Sequence, residues 1–239
     1  MKKKKINILY EDDHCIAIDK PAGILSVPDR YNQDLPNVKH IMVGQNPNIL
    51  IVHRLDKDTS GVLLLAKNPE AHITLQEQFE NRTIEKTYVA IAYGQCHNED
   101  GVIEAAIAPH GVIRGKMSIN KKGKKAKTHF RVMELFNRHS LIELKPTTGR
   151  THQLRVHLSH MGHTILCDEM YGGQPAFFLS SEKRNFKPNR GQKERPLISR
   201  TALHAASLTF TINGESITVE SPLHKDMRAT INQLRKLVS

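Results

Sequence analysis

The sequence predicts an α+β fold in which a mixed, mainly antiparallel β-sheet is flanked by helices and loops. Segments of strand length outnumber helical ones, and segments at both ends of the chain pair as hairpins. Few stretches carry helical periodicity, a combination typical of α+β proteins. The residues before a KPAG turn at 20–23 are too few for a separate folded N-terminal module. A single domain over residues 1–239 is therefore expected.

The first elements are a hairpin and a loop. Residues 6–10 and 15–19 carry apolar side chains in the alternation of strands and are separated by a polar turn. The KPAG sequence at 20–23 ends the second strand, because Pro lacks the N–H that a ladder needs and Gly permits a sharp turn. Residues 29–48 are polar and mixed, which predicts a loop with one short helix.

The next segments frame a polar stretch. Two short apolar runs, residues 49–52 and 61–66, have the length of buried strands and flank the polar residues 53–60. A helix is predicted over residues 69–82, because Pro69 suits a first helical turn and apolar residues then recur four positions apart.

The second half continues with strands, one helix and an excursion. Alternation predicts strands at residues 87–93, 102–106, 129–136 and 140–145. Thr151 is expected to cap a helix whose inner face includes Leu154 and Met161, and Gly162 is expected to end it. Residues 172–198 are rich in Gly, Pro, Lys and Arg, which predicts an exposed excursion.

A hairpin and a helix close the chain. Asn213 and Gly214 form the strongest short turn signal in the sequence, between predicted strands at 203–212 and 216–220. Residues 226–238 then have the pattern of a helix.

The charge balance indicates a polyanionic partner. Lys and Arg number 35 against 24 Asp and Glu, a formal net charge of +11. Neutralising phosphates releases counterions, so nucleic acid is the first candidate. A protein that is merely basic, or one that binds an acidic membrane surface, remains an alternative. No apolar run approaches the ~20 residues of a membrane span, and no basic amphipathic helix stands out.

Targeting signals and cysteines point to the cytoplasm. The lysines at residues 2–5 resemble the start of a signal peptide, but charged residues follow where its apolar region should lie. The three cysteines, Cys15, Cys96 and Cys167, are widely spaced. This usage suits a reducing compartment and neither a disulfide framework nor a cysteine metal site.

The segment HRLDKDTSG at residues 53–61 is the first candidate for chemistry. Asp56 follows a predicted buried strand and precedes a Thr-Ser-Gly turn, where scaffolds often present reactive groups. A turn decorated with solvated charges is the alternative, and the residues taken alone favour it.

A resemblance to a known family favours a catalytic role for this segment over a solvated turn. The segment HRLDKDTSG resembles the signature of the RluA-type pseudouridine synthases. KPAG at 20–23, KTY at 86–88 and TGRTHQLRVH at 148–157 agree with the same family in the same order. The resemblance runs from about residue 7 to residue 222, is closest to the branch that modifies both rRNA and tRNA, and implies no separate N-terminal RNA-binding domain. Small departures, such as Thr164 in place of a usual proline, touch no predicted catalytic position.

The resemblance implies a reaction and its catalytic residues. Uridine becomes pseudouridine when the N-glycosidic bond breaks, the uracil rotates and a carbon–carbon bond to the ribose forms. Asp56 is then the nucleophile, or the base of the glycal version, and Arg155 holds it ionised, since a nearby cation lowers a carboxyl pKa. Tyr88 stacks on the target base. Without the resemblance, Arg155 is a solvated helix residue and Tyr88 half-buried core. No cofactor and no metal is implied.

Other residues are candidates for substrate binding. Arg54 is expected to fill the space of the flipped-out base or to hold a phosphate, with a simple salt bridge as the alternative. Leu154 matches an apolar residue of the base pocket, and His53 belongs to the same signature segment. A basic stretch over residues 114–127, in which Lys124 and Lys125 are the chosen candidates, is expected to grip RNA backbone; a solvated face is equally compatible. These candidates are His53, Arg54, Lys124, Lys125 and Leu154.

Three functions compete. The leading hypothesis is a pseudouridine synthase acting on structured RNA, namely 23S rRNA, the tRNA anticodon stem-loop or both. The second is a non-catalytic RNA-binding protein on the same fold. The third is a nucleoside glycosidase, which usually needs a second carboxylate. Asp58 is near Asp56, but two residues further along a turn it is expected to point elsewhere. A metal site at His157, His160 and His163 is not expected, because that spacing rotates off one helix face. We expect a monomer without an obligate protein partner.

Overall fold

The computed structural model of the chain describes residues 6–44, 46–183, 186–187 and 193–238. The lysines at 2–5 and parts of the predicted excursion lie outside these residues. The described strands are β1 (Asn7–Glu11), β2 (Cys15–Lys20), β3 (Leu50–Ile51), β4 (Ser60–Ala66), β5 (Glu85–Tyr93), β6 (Asp100–Glu104), β7 (Ile107–Pro109), β8 (Met117–Ile119), β9 (Lys127–Leu135), β10 (His139–Pro146), β11 (Leu203–Ile212) and β12 (Glu215–Glu220). The α-helices are α1 (Val38–Val43), α2 (Pro69–Asn81), α3 (Gln153–His160) and α4 (Lys225–Val238).

The residues group into two compact units. The first contains the described residues up to Thr87 together with His204–Pro222, and the second contains Tyr88–Leu203 and the described residues from Leu223 onward. Within the described ranges every helix is too short or too polar to span a membrane. The single domain expected over residues 1–239 stays a prediction.

The first unit contains a sheet in the order β1-β2-β4-β11, with β12 beside β11 and β3 beside β4. Its pairings are antiparallel except for β4 with β11, which run parallel where Gly61 lies opposite Ala205. This approach requires glycine, because Gly61 has a φ of +109° and a Cβ there would lie 2.1 Å from the carbonyl oxygen of Ala205. Leu64, Leu75 and Phe210 lie in its buried core.

The second unit contains an antiparallel sheet in the order β5-β10-β9-β6 and a separate hairpin of β7 with β8. A small core joins this hairpin to helix α3. It is formed by Ile107, Ala126, Val156 and Tyr171, with Met117 and Ile119 packed against it. This core therefore fixes the position of the hairpin relative to α3.

The predicted α+β fold is confirmed, with differences in detail. Both terminal hairpins form, and Asn213 and Gly214 adopt the positive φ angles, 50° and 80°, that their turn requires. The strand predicted at 102–106 begins earlier, at Asp100, and the hairpin of β7 with β8 was not predicted. Its strands have three residues each, too few to establish a period of two.

The prediction that Thr151 caps α3 is wrong. His152 precedes the helix in the left-handed conformation, with a φ of 54°, and makes no side-chain capping bond. The buried amide of Gln153 organises the turn instead: its Oε1 accepts from the N–H of Arg150 at 3.0 Å and from the hydroxyl of Thr148 at 2.6 Å. The helix ends at His160, and Gly162 follows with a φ of 84°, as expected.

Candidate active site

Asp56 lies in the connection between β3 and β4, in the first unit. Its side chain is partly exposed. The carbonyl oxygen of Asp56 accepts a hydrogen bond from the N–H of Thr59 at 3.2 Å, which closes the predicted turn. The neighbours of Asp56 on both sides are held by buried side chains from distant parts of the sequence.

Ser26 holds the residue before Asp56. Its hydroxyl accepts from the N–H of Leu55 at 3.0 Å and donates to the carbonyl oxygen of Leu55 at 2.9 Å. Ser26 is 3% exposed and Leu55 is 5% exposed, so water does not compete for these bonds. The two bonds fix the peptide groups on both sides of the Leu55 α-carbon, and with them the point from which Asp56 projects.

Replacing Ser26 with Ala should therefore loosen the turn. Two buried backbone groups of Leu55 would lose their partner, and each such loss costs about 1–3 kcal/mol. We expect a decrease of about 2 kcal/mol in the free energy of unfolding, measured by urea denaturation, together with reduced catalysis. Ser216→Ala, at an exposed serine, is the matched control and should change stability little. Equal stability of the two variants would contradict this role of Ser26.

Lys20 holds the residues after Asp56. It is completely buried, and its ammonium donates to the carbonyl oxygens of Pro21 at 3.1 Å, Lys57 at 3.0 Å and Thr59 at 2.8 Å. An ammonium has three N–H donors, so this arrangement uses all of them. The KPAG turn thus does more than end a strand, because its lysine organises the segment that carries Asp56.

The turn is also anchored where β4 begins. The hydroxyl of Ser60 lies 2.9 Å from Nδ1 of His204, and Nε2 of His204 lies 3.0 Å from the carbonyl oxygen of Ser221. A carbonyl only accepts, so Nε2 carries a proton, and in the neutral ring Nδ1 then accepts from Ser60. The hydroxyl of Ser221 in turn donates to Asp19 at 3.0 Å. This chain of bonds ties the end of the active-site segment to β2 and β11.

His53 is engaged with the protein on two sides. Its ring stacks on Phe79 with centroids 4.6 Å apart, and its Nε2 accepts from the N–H of Leu64 at 3.0 Å. Loss of hydration lowers the pKa of His53 from 6.5 to about 3, with a further contribution from the positive charge of Lys86. His53 is therefore neutral at physiological pH, and its predicted contact with substrate stays a prediction.

This pKa predicts acid sensitivity. The folded chain binds the proton of His53 only near pH 3, whereas the unfolded chain binds it near the usual 6.5. The stabilising effect of neutral His53 is complete above pH 6.5 and is lost progressively as the pH falls toward 3, by at most about 1.4 kcal/mol per pH unit. His53→Gln does not titrate and should show a shallower dependence. Identical curves of unfolding free energy against pH would contradict the assignment.

Arg54 is exposed. It forms no salt bridge with any residue that the structure describes. The described residues therefore do not support the alternative that Arg54 serves only in an ion pair. The predicted role of Arg54 in RNA binding stays a prediction.

The other catalytic candidates belong to the second unit. Tyr88 is half-buried on β5, opposite Leu144 of β10. Leu154 and Arg155 lie in the first turn of α3, where Leu154 is buried. Arg155 forms a bidentate ion pair with Asp168, from Nε to Oδ2 at 2.7 Å and from Nη2 to Oδ1 at 2.8 Å. The side chains of Arg155 and Asp168 are 11% and 1% exposed, so this pair is buried.

Tyr171 completes the setting of Arg155. The guanidinium carbon of Arg155 lies 5.1 Å from the centre of the Tyr171 ring, within range of a cation–π interaction. The hydroxyl of Tyr171 accepts from the N–H of Met117 at 3.0 Å and lies 2.9 Å from Nδ1 of His152. Arg155 is thereby held in one orientation by a carboxylate and a ring. The sequence by itself predicts neither Asp168 nor Tyr171 as a partner of Arg155.

His157 of α3 has a structural role. Nδ1 of His157 lies 2.9 Å from the hydroxyl of Thr128, and Nε2 lies 3.1 Å from the carbonyl oxygen of Ala105. Burial lowers the pKa of His157, which keeps it neutral. Among the residues with described positions, no group of three or more His, Cys, Asp or Glu side chains is arranged to hold a metal ion.

The lysines of the stretch that is predicted to bind RNA backbone differ in their surroundings. Lys124 and Lys125 are exposed in the loop between β8 and β9, as are Lys121 and Lys122. Lys127 instead pairs with Glu104 across strands at 2.7 Å, so its charge is partly neutralised. The first unit thus carries the candidates His53, Arg54 and Asp56, and the second carries Tyr88, Lys124, Lys125, Leu154 and Arg155.

Comparison with curated proteins gives clear relatives. The chain is 38% identical over 240 residues to the ribosomal large subunit pseudouridine synthase D of Nitrosomonas europaea, covering 97% of this chain and 66% of that protein. It is also 38% identical to the protein of the same name from Pseudomonas aeruginosa, covering 97% of this chain and 72% of that protein. The chain therefore spans about two thirds of the length of these relatives.

Solved structures have the same fold. A human protein titled RNA pseudouridylate synthase domain containing 1 matches with a TM-score of 0.71 and 26% identity, over 97% of this chain and 95% of that chain. A second, titled RNA pseudouridylate synthase domain containing 4, matches with a TM-score of 0.75 and 24% identity, over 96% and 93% of the two chains. Residues 14–160 match the sequence profile of the family described as RNA pseudouridylate synthase. The chain belongs to this family, and the RluA-type enzyme class predicted from its motifs is confirmed.

Proposed function

We propose that the chain converts uridine to pseudouridine in structured RNA, with large-subunit rRNA as its first substrate and Asp56 as its nucleophile or base. The observation that carries the proposal is the set of hydrogen bonds from Ser26 and Lys20 to the segment around Asp56, which we call the clamp. Ser26 fixes the residue before it, and Lys20 fixes the two residues at 57 and 59. A scaffold that holds one carboxylate-bearing turn at so many points is suited to a reaction in which the carboxylate must be positioned against a ribose carbon.

Arg155 and Tyr88 are proposed to complete the chemistry. The ion pair with Asp168 and the contact with Tyr171 hold the guanidinium in a fixed orientation, which favours electrostatic stabilisation of charge that develops during reaction. Tyr88 is half-buried, and its ring is proposed to stack on the target base. Leu154 supplies an apolar surface beside Arg155 on α3.

Arg54 is proposed to contact RNA. A base in a stem must leave the stack before its ribose is accessible, which costs a few kcal/mol. Arg54 is exposed, one residue from the clamped Leu55. A guanidinium so placed can occupy the vacated space or bind the adjacent phosphate bidentately.

The choice of RNA rests on the relatives. The curated relatives described above are named for the ribosomal large subunit. We therefore rank 23S rRNA first and the tRNA anticodon stem-loop second. A monomeric protein in the cytoplasm stays a prediction.

The test is a modification assay on defined RNA. Unmodified 23S rRNA and unmodified tRNA transcripts are incubated separately with the purified protein, and pseudouridines are mapped by chemical derivatisation and primer extension. We expect new pseudouridine in the 23S rRNA and none without protein. Modification of tRNA alone would overturn the substrate assignment. Free uracil released from either RNA would indicate a glycosidase in place of an isomerase.

A further inference from the structure

A basic groove lies wholly within the second unit. It has a volume of about 460 Å³ and is walled on one side by the hairpin of β7 with β8 and on the other by the residues that lead into α3. Ligand sites in proteins typically have volumes of about 300–1,000 Å³, so the groove has room for one nucleotide unit. Its cationic lining residues are Lys122, Lys124 and Arg150.

Arg150 is oriented by the backbone. Its Nε donates to the carbonyl oxygen of Lys125 at 3.2 Å. Its two terminal amino groups make no bond to any residue within the described ranges. A guanidinium held at Nε presents these amino groups as a pair, the geometry that recognises two oxygens of a phosphate.

The charge in the groove is not compensated locally. The side chains of Lys122 and Lys124 are exposed and form no ion pair with the described part of the chain. None of the described residues that line the groove is acidic. Three cations around one open volume disfavour one another, and an anion in the groove would relieve that repulsion.

The two walls are held together before any ligand binds. The Tyr171 hydroxyl accepts from the N–H of Met117 in one wall and contacts His152, next to the other wall. Gly123 packs so closely against β7 that a Cβ there would lie 2.5 Å from the carbonyl group of Ile107. The groove is therefore a preformed site, which lowers the conformational cost of binding.

We propose that this groove binds the sugar-phosphate backbone of RNA at a nucleotide other than the reacting uridine, with Arg150 as the bidentate phosphate ligand and Lys122 and Lys124 as flanking charges. The apolar surfaces of Pro109 and Met117, which also line the groove, would contact the ribose or base of that nucleotide. The proposal rests on RNA as the substrate class. The sequence by itself predicts no individual role for Arg150.

The experiment measures binding separately from catalysis. Affinity for 23S rRNA transcript is determined by filter binding at several salt concentrations for wild type, Arg150→Lys, Arg150→Ala and Lys124→Ala. Lys183→Ala is the charge-matched control, because Lys183 is exposed in the same unit and does not line the groove. Gly149→Leu is a steric test, since Gly149 lines the groove, a Cβ there meets nothing within 4 Å, and Leu adds bulk without altering the charge.

The variants should differ in their affinity for rRNA. Arg150→Ala should weaken rRNA binding about tenfold and reduce the slope of log K against log salt by roughly 0.7–0.9, the contribution of one phosphate contact. Arg150→Lys should fall between it and the wild type, Lys124→Ala and Gly149→Leu should also weaken binding, and Lys183→Ala should bind as the wild type. Thermal unfolding identifies any variant that is not folded.

Two outcomes separate this proposal from the assignment of function. If Arg150→Ala and Lys183→Ala bind rRNA equally at every salt concentration, the groove proposal is overturned, whatever the activity of the wild type. If the wild type binds rRNA through Arg150 but forms no pseudouridine, the groove is supported and the proposed function fails.

Discussion

Asp56→Asn should abolish pseudouridine formation while affinity for rRNA stays within a few fold of the wild type. A single group that transfers protons typically contributes about 10²–10⁴-fold to a rate, and loss of a nucleophile should cost at least as much. Asn is nearly isosteric with Asp, so the turn held by Lys20 and Ser26 should keep its conformation. Single-turnover assays with excess protein would measure the residual rate.

Asp58→Asn is the matched control for this experiment. Asp58 is a partly buried carboxylate in the same turn, and its replacement should leave most activity. Full activity of Asp56→Asn would refute the assignment of Asp56 as nucleophile or base. Equal loss in both variants would indicate two catalytic carboxylates and favour the glycosidase alternative. A non-catalytic RNA-binding protein predicts no activity in the wild type and unchanged binding in Asp56→Asn.

Asp168→Ala should destabilise the protein by about 3 kcal/mol or more. The carboxylate is 1% exposed and makes two short bonds to Arg155. Removing one member of a buried ion pair leaves the other charge without its partner, which typically costs about 3–5 kcal/mol. Activity should also fall, since the orientation of Arg155 depends on this carboxylate. Urea denaturation measures the first effect, and single-turnover assays at a temperature where the variant is folded measure the second.

Two further variants isolate the cause. Glu134→Ala breaks the exposed pair with Arg235, whose side chains are 31% and 53% exposed, and should cost only about 0.2–1 kcal/mol. The double variant Asp168→Ala with Arg155→Met also removes the buried guanidinium that has lost Asp168, and it should be more stable than Asp168→Ala alone. If the double variant is less stable than the single one, the ion pair is not the source of the effect.

Local elements of the fold were predictable because their signals are local. The turn at Asn213 and Gly214 needs two positive φ angles in sequence, and those residues adopt them at little cost. Helix α2 begins at Pro69 as predicted, because Pro suits the first turn and the side chain of Asn68 accepts from the N–H of Ala71. The parallel pairing of β4 with β11 joins residues far apart in the chain, and no local periodicity encodes it.

The residues of the candidate site were also predictable only in part. Asp56, Tyr88 and Arg155 were predicted because the collinear motifs of one family carry them. Membership in that family is confirmed, and the roles of these residues stay predictions. Their supports were not identified. Lys20 contacts the carbonyl oxygens of Lys57 and Thr59, and the sequence around it indicates only a turn. A lysine is ordinarily exposed, so its complete burial follows from the packing of the first unit and from three carbonyl groups that converge on one point.

The amino-acid sequence was sufficient to predict the enzyme class and the α+β fold, which are confirmed, together with the basic character that favours RNA. It also named Asp56 as the candidate nucleophile, which stays a prediction. These properties follow from residue types and their order along the chain. The clamp on Asp56, the bidentate partner of Arg155 and the groove at Arg150 became visible only in three dimensions. Each depends on hydrogen bonds of about 3 Å between groups that lie 13 to 39 residues apart. Such bonds require a separation and an angle in space, and linear spacing specifies neither.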